Sequence, residues 1–248
     1  MQALEQLQLY AERYFLTLPA LAEGAALPLP ALHDLIEAGA LPQPSYSLWP
    51  NGAFASPIGG HHGPAPAGAP THFYSAAALW WARRASIAAL PAAKVAASFR
   101  AEFIADFVTR LRAEPLGPLG YPQAYDHGSL DEGRAKAAAS AEWQDWIGGG
   151  YGVCLRAWDA HHAITKTCQR ALIVTLTREG KATSLPQAEC DRLLVAMQAL
   201  DAVMLPFAPH QRPHGTPGLW IDRMLDRFGL RHAPSGGLTE NAAEKYCA

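Results

Sequence analysis

A run of glycines between aromatic residues constrains this fold more than any other feature of the sequence. Gly148, Gly149, Gly150 and Gly152 fill four of five positions in a chain that is otherwise rich in alanine. Because glycine loses more backbone entropy than other residues in regular structure, the run predicts a sharp bend or a close approach to a ligand. The surrounding residues 142–156 also hold three aromatics, a cysteine and an arginine. We therefore expect a functional site here.

Length and composition predict a folded protein. The chain has 248 residues, of which 50% are hydrophobic, and this is enough for one large core or two modest ones. No apolar run approaches the roughly 20 residues that span a bilayer, and the N-terminus lacks the pattern of a signal peptide. The cysteines show no CxxC spacing, which favours reduced thiols. We expect a cytoplasmic protein without a membrane segment.

Hydrophobic periodicity predicts a mostly α fold, in which an N-terminal winged-helix-like module precedes a helical domain. The strongest stripe has helical spacing and indicates core rather than a cofactor box; it comprises Val95, Phe99, Phe103, Ile104, Phe107, Val108 and Leu111. We expect a module at residues 1–74 with a Pro/Gly-rich loop at about 50–70, a helical domain at 75–232, and a disordered tail at 233–248.

The segment Tyr14–Pro44 resembles the helix-turn-helix opening of MerR-like DNA-binding domains. Thr17 is expected to cap a helix that Gly24 ends, and Leu29-Pro30 to begin a second helix that ends before Gly39.

Charge in this region argues against DNA binding, although the resemblance implies it. Residues 1–82 contain one basic residue, Arg13, and five acidic residues. Affinity for duplex DNA comes largely from lysine and arginine on phosphates, whereas the second helix offers His33, Asp34 and Glu37. We expect a packing or recognition module, with nucleic acid an improbable partner.

Two loops carry grouped polar side chains. His61, His62 and His72 form one set, for which solvated histidines are a simpler interpretation than a metal site. Asp126 and His127 form a second set after Tyr125; they suit substrate binding, although turn chemistry alone also explains an Asp-His-Gly sequence.

The region Trp143–Phe228 resembles an uncharacterised domain family found in bacterial natural-product biosynthesis. The resemblance rests on the sequence GGYGVCLR at 149–156, HAITK at 162–166, and the segment from Leu200 to Arg212. It implies a small helical protein of specialised metabolism, without a defined reaction.

Cys154 is the candidate nucleophile of the central stretch. A thiol near a helix start or a cation is favoured as the nucleophilic thiolate, so His161 or His162 is a candidate base and Tyr151 a further catalytic candidate. Ordinary packing of a small apolar residue and contact with a ligand remain alternatives.

Arg156 and Arg212 are candidates for binding an anion, since a guanidinium holds a carboxylate with two hydrogen bonds. For both arginines the alternative is an intramolecular ion pair with Asp201 or Asp222. His210 lies two residues before Arg212 and is a further substrate-binding candidate.

Three functions follow from these features. The first is a biosynthetic enzyme that acts on a small carboxylate or an amino-acid-derived intermediate. The second is a non-catalytic partner of a carrier protein or pathway enzyme, and a transcriptional regulator is the third. No Walker, HExxH or GxSxG motif is present, so the sequence indicates no particular cofactor and predicts no metal site. It carries no signal for the oligomeric state.

Overall fold

The computed structural model describes residues 2–230, and these residues are mostly helical. The expected disordered tail at 233–248, including Cys247, lies outside the described residues. Within the described residues no helix is both long and apolar enough to cross a membrane.

The N-terminal part combines three helices with one small sheet. The helices are α1 (Gln2–Tyr14), α2 (Leu18–Ala25) and α3 (Leu29–Glu37). The strands are β1 (Phe15–Thr17), β2 (Tyr46–Leu48), β3 (Phe54–Ser56), β4 (Gly60–His62) and β5 (Thr71–Ser75). All pairings are antiparallel, and the strand order is β1-β5-β2-β3-β4.

The two helices that follow β1 begin where local chemistry predicts. Thr17 caps α2 by accepting a hydrogen bond from the amide of Ala20, and Pro30 lies in the first turn of α3. The end of α2 differs from expectation, because Ala26 rather than Gly24 takes the left-handed conformation. Gly24 instead provides space, since a Cβ there would lie 2.9 Å from Leu79.

The Pro/Gly-rich segment at 50–70 contains regular structure that its composition does not predict. Strands β3 and β4 form a hairpin within it, and Phe54 of β3 stacks on His62 of β4 with ring centroids 4.8 Å apart. The tip of this hairpin, at Pro57 and Ile58, reaches the helical part of the chain.

The rest of the chain is helical. Its helices are α4 (Ala78–Ala88), α5 (Ala92–Ala113), α6 (Gly117–Gly120), α7 (Glu132–Ile147), α8 (Ala160–Leu176), α9 (Gln187–Val203) and α10 (Arg223–Phe228). A short hairpin of β6 (Tyr125–Asp126) and β7 (Ser129–Leu130) precedes α7, and a π-helical turn, Gly218–Asp222, leads into α10.

The core is aromatic and continuous with the N-terminal part. The expected stripe of α5 is buried except for Ile104, which is partly buried. Trp158 stacks on Trp146 and on Phe103, with centroids 5.1 and 4.9 Å apart. Because the same cluster includes Leu21 of α2 and Leu32 of α3, the helix pair and the helical domain share one core.

Candidate functional site

The glycine run forms the bend between α7 and α8. Gly149 has a φ of +84°, and a Cβ there would lie 2.7 Å from the carbonyl oxygen of Pro44. A Cβ on Gly152 would overlap the hydroxyl of Ser45. The expected bend is therefore present, and the close approach is to the chain's own N-terminal part rather than to a ligand.

The backbone around Cys154 is held on both sides. A 3-10 turn, Tyr151–Val153, precedes it, and the Cys154 amide donates to the Tyr151 carbonyl at 3.1 Å. The Leu205 amide donates to the Cys154 carbonyl at 2.9 Å, and the Arg156 amide to the Val203 carbonyl at 3.1 Å. These bonds fix the Cys154 backbone relative to the end of α9.

Lys166 is the polar side chain that meets the thiol. Its Nζ lies 3.1 Å from Cys154 Sγ and 4.3 Å from the centroid of the Tyr151 ring. Cys154 is 5% exposed and Lys166 is half-buried. The Lys166 side chain therefore gives the Cys154 thiol a polar partner in a largely buried site.

Cys154 lies in the wall of a cavity of about 540 Å³. The cavity is bounded by α7, α8, the tip of the β3–β4 hairpin and the segment 207–220. Its charged and apolar lining includes Asp145, Lys166, Arg170, His214, Ile58, Phe207, Leu219 and Trp220. The size and the mixed lining suit a small organic molecule.

A buried carboxyl group lies behind the cavity. Glu142 of α7 is 8% exposed, and its Oε1 accepts a hydrogen bond of 2.8 Å from the hydroxyl of Tyr121. Burial raises the pKa of Glu142, and hydrogen bonding with Tyr151 and Tyr121 opposes this only partly. Burial also raises the pKa of Tyr151, helped by the nearby Glu142. The hydroxyl groups of both tyrosines therefore stay protonated at neutral pH.

The two histidines proposed as bases lie on the first turn of α8, and neither is hydrogen-bonded to the Cys154 thiol. His162 Nδ1 lies 2.9 Å from Asp159 Oδ1, and His161 is exposed. Asp159 caps α8 by accepting a hydrogen bond from the His162 amide. Burial opposes ionisation of Asp159, but its bonds with His162 outweigh this and lower the pKa. Among the described residues, only Lys166 bonds the Cys154 thiol through a side chain.

The arginines proposed for anion binding lie outside the cavity lining. Arg212 makes two bonds of 2.7 Å to the carboxylate of Asp222, which is the ion-pair alternative, and these bonds raise the pKa of Arg212. Arg156 is half-buried beside the bridge between Leu155 and Met204.

His210 packs edge-on against Phe54, with centroids 5.3 Å apart. Burial lowers the pKa of His210, with a further effect from nearby His62. This position places His210 against the β3–β4 hairpin, where it joins the two parts of the chain.

Asp126 and His127 belong to the turn of the β6–β7 hairpin. Asp126 lies 3.6 Å from Arg134, and both side chains are exposed. His127 has a φ of +45° and precedes Gly128, at +83°. Neither residue lines the cavity at Cys154, and their conformation is that of a tight turn.

The loop histidines have separate partners. His61 contacts the carbonyl of Pro64, His62 that of Gly59, and His72 the hydroxyl of Ser47. Over residues 2–230, no group of three or more histidine, cysteine, aspartate or glutamate side chains is arranged so that it could hold a metal ion.

Sequence reasoning missed the residues that accompany Cys154. Lys166 and Arg170 follow His162 at intervals of four along α8, which puts them on one helix face. On α7, Glu142 and Asp145 are three residues apart. These intervals indicate which residues share a helix face. They do not show which face packs against the glycine run.

Comparison with known proteins gives a family and no assigned activity. No curated protein and no solved structure matches the chain. A model described as a family of unknown function, DUF6058, matches residues 94–229. The match includes Trp143–Phe228, where we expected an uncharacterised family, and all the cavity residues named above except Pro57 and Ile58. The chain therefore belongs to this family of unknown function, DUF6058.

Proposed function

We propose that the protein is an enzyme of natural-product biosynthesis that acts on a small carboxylate or amino-acid-derived intermediate, with Cys154 as its nucleophile. One observation carries this proposal: the Cys154 thiol lies 3.1 Å from the Lys166 ammonium in the wall of a cavity of about 540 Å³. A cysteine that only fills the core needs neither a cation nor a cavity beside it.

Acyl transfer is the reaction class that these groups suit best. The sulfur attacks an acyl carbon, a thioester bond forms, and the bond to the leaving group breaks. Lys166 supplies the proton that the leaving group takes. Water then hydrolyses the thioester, which releases the acid and returns a proton to the Cys154–Lys166 pair. Tyr151 lies against Lys166 and restricts the position of the ammonium.

Alkylation of single cysteines tests the nucleophile directly. We expect iodoacetamide to modify Cys154 at neutral pH faster than Cys190, a half-buried cysteine of α9, as measured by peptide mass spectrometry. Lys166→Met should slow the Cys154 reaction roughly tenfold, whereas Lys181→Met, which removes an exposed lysine paired with Glu179, should leave it unchanged. Equal rates for Cys154 in all three proteins would refute the role of Lys166.

Turnover is tested by incubating the protein with candidate pathway intermediates and following their masses. A mass change that Cys154→Ala abolishes supports the enzyme. A change that persists in Cys154→Ala excludes the thiol as nucleophile.

For the N-terminal part we propose a winged-helix-like module of MerR type that serves packing and protein contact. The order β1-α2-α3-β2-β5, with β5 between β1 and β2, supports this topology, and β3–β4 is then an insertion in the wing. The exposed face of α3 presents His33, Asp34 and Glu37, which disfavours phosphate contact. A gel shift of promoter DNA at low salt would contradict this.

The second candidate function is a non-catalytic partner of a carrier protein or pathway enzyme, with the exposed acidic residues Asp34 and Glu37 of α3 on the contact surface. Pull-down with proteins of the same biosynthetic cluster tests this. We further propose a cytoplasmic location, which the free thiols of Cys154, Cys168 and Cys190 support.

A further inference from the structure

The cavity at Cys154 contains a cation to which the proposed reaction gives no role. Arg170 lies four residues after Lys166 on α8 and lines the same cavity. It is exposed, and within residues 2–230 the side chain takes part in no ion pair. Arg212, by contrast, is neutralised by Asp222. An unpaired guanidinium at a cavity wall is suited to a carboxylate ligand.

The spacing along α8 sets the distance between the two ends of such a ligand. Four residues of helix rise about 6 Å, which separates the backbones of Lys166 and Arg170 by about one turn on the same side of α8. This separation fits a compound whose carboxylate and reactive carbon are on one short skeleton.

The lining also limits the charge of the ligand. Asp145, on the α7 side of the cavity, is exposed to the same space as Lys166 and Arg170. Lys166 is engaged by the thiol, so the other acidic or basic side chains of the lining are Arg170, Asp145 and His214. A second negative charge on the ligand would meet Asp145, and like charges at close range are unfavourable. A ligand with a single negative charge therefore suits this lining better than one with two.

The remaining wall is apolar and partly uncovered. Phe207, Leu219 and Trp220 line it from the C-terminal segment, and each is only partly buried. Ile58 closes it from the hairpin tip and is 54% exposed. Burial of an aromatic or branched group against these side chains would remove apolar surface from water.

We infer that Arg170 is the carboxylate-binding residue of this site, and that its substrates are singly charged carboxylates carrying an aromatic or branched apolar group. The inference names the substrate class of the proposed enzyme and in that sense rests on the proposed function. Binding, however, is measurable without turnover.

Calorimetry with 3-phenylpropionate as the probe tests the assignment. The full chain should bind 3-phenylpropionate, and bind the uncharged 3-phenylpropanamide and the doubly charged phenylsuccinate at least roughly tenfold more weakly. Arg170→Met should weaken the binding of 3-phenylpropionate by a similar factor. Arg170→Lys should weaken it by less, since lysine keeps the charge but loses the paired hydrogen bonds. Arg192→Met, an exposed arginine of α9, is the matched control.

The outcomes separate this inference from the proposed function. Equal affinity for acid and amide, no binding of the acid, or full binding by Arg170→Met would each overturn the role of Arg170, whatever the reactivity of Cys154. Protection of Cys154 from iodoacetamide by 3-phenylpropionate would add support by placing the acid in this cavity. Binding that depends on Arg170 in a protein whose Cys154 is unreactive would sustain the inference and remove the nucleophile instead.

Discussion

At the scale of single residues, the buried carboxyl group of Glu142 makes the stability of the protein depend on pH. This carboxyl group is buried and holds the hydroxyl of Tyr121. Tyr151, Lys166 and Asp145 are the other titratable or charged groups whose interactions affect it. Because burial raises the pKa above its usual value of 4.5, the folded protein binds this proton more tightly than the unfolded chain does.

This difference predicts a pH-dependent stability. The contribution of Glu142 is fully present below pH 4.5 and is lost as the pH rises through the folded-state pKa. Each pH unit between the two pKa values corresponds to about 1.4 kcal/mol. Glu142→Gln keeps an acceptor for Tyr121 and cannot ionise, so we expect its unfolding free energy to decline less between pH 5 and pH 8.

Urea unfolding at pH 5, 6, 7 and 8 measures the slope. Glu37→Gln, at an exposed position of α3, should keep the slope of the natural protein. If Glu142→Gln also keeps it, the carboxyl group of Glu142 is already ionised in the folded state across this range.

At the scale of elements, the glycine run joins the helical domain to the N-terminal part. Gly149 combines a left-handed backbone with a close contact to the Pro44 carbonyl, whereas Gly128 has nearly the same φ, +83°, and open space around it. Substitutions at the two positions therefore separate the free-energy cost of a left-handed backbone from the cost of crowding the Pro44 carbonyl.

We predict that Gly149→Ala destabilises the protein more than Gly128→Ala. The left-handed conformation alone costs an alanine about 1 kcal/mol, which is the whole expected effect at Gly128. At Gly149 the displacement of the Pro44 backbone should bring the total to roughly 3 kcal/mol. Thermal and urea unfolding measure both. Equal losses would show that the segment at Pro44 moves freely.

Elements were predictable where their causes are local. The Thr17 and Asp159 caps and the buried stripe of α5 follow from neighbouring residues, so the sequence suffices for them. The short strands β3 and β4 were not foreseen, because their pairing depends on a turn inside a Pro/Gly-rich segment.

The site was harder to predict than the elements. The glycine run and Cys154 marked its place, but Lys166 reaches the thiol across a bend and a helix start. Arg156 stands close to the glycine run in sequence, whereas Arg170 faces the cavity only because of how α8 is rotated against α7. That rotation is a property of packing, and no short pattern encodes it.

At the scale of the whole molecule, the two parts of the chain share their cores. Leu21 and Leu32 from the N-terminal helices join the cluster of the helical domain, and Val153 and Ala208 join the cluster under the sheet. A chain whose clusters both cross the boundary should unfold in one transition.

Substitution of Trp81, in α4, tests whether the two parts of the chain unfold in one transition. Trp81 is 3% exposed, packs on Trp143 and Phe99, and donates from Nε1 to the carbonyl of Trp158 at 3.1 Å. Trp81→Ala should lower the free energy of unfolding by about 3–5 kcal/mol, because it leaves a cavity in the core. The neighbouring Trp80 is 55% exposed, so Trp80→Ala should cost under about 1 kcal/mol, mainly a cation–π contact with Arg84.

Urea unfolding, followed by far-UV circular dichroism and by alkylation of Cys154, measures the loss of unfolding free energy. The two probes also show whether the region around Cys154 unfolds with the rest of the protein. Since Trp81 lies in the core that both parts share, its removal should shift the two curves together. Shifts that differ between the two probes would mean that the region around Cys154 opens separately from the rest of the helical domain.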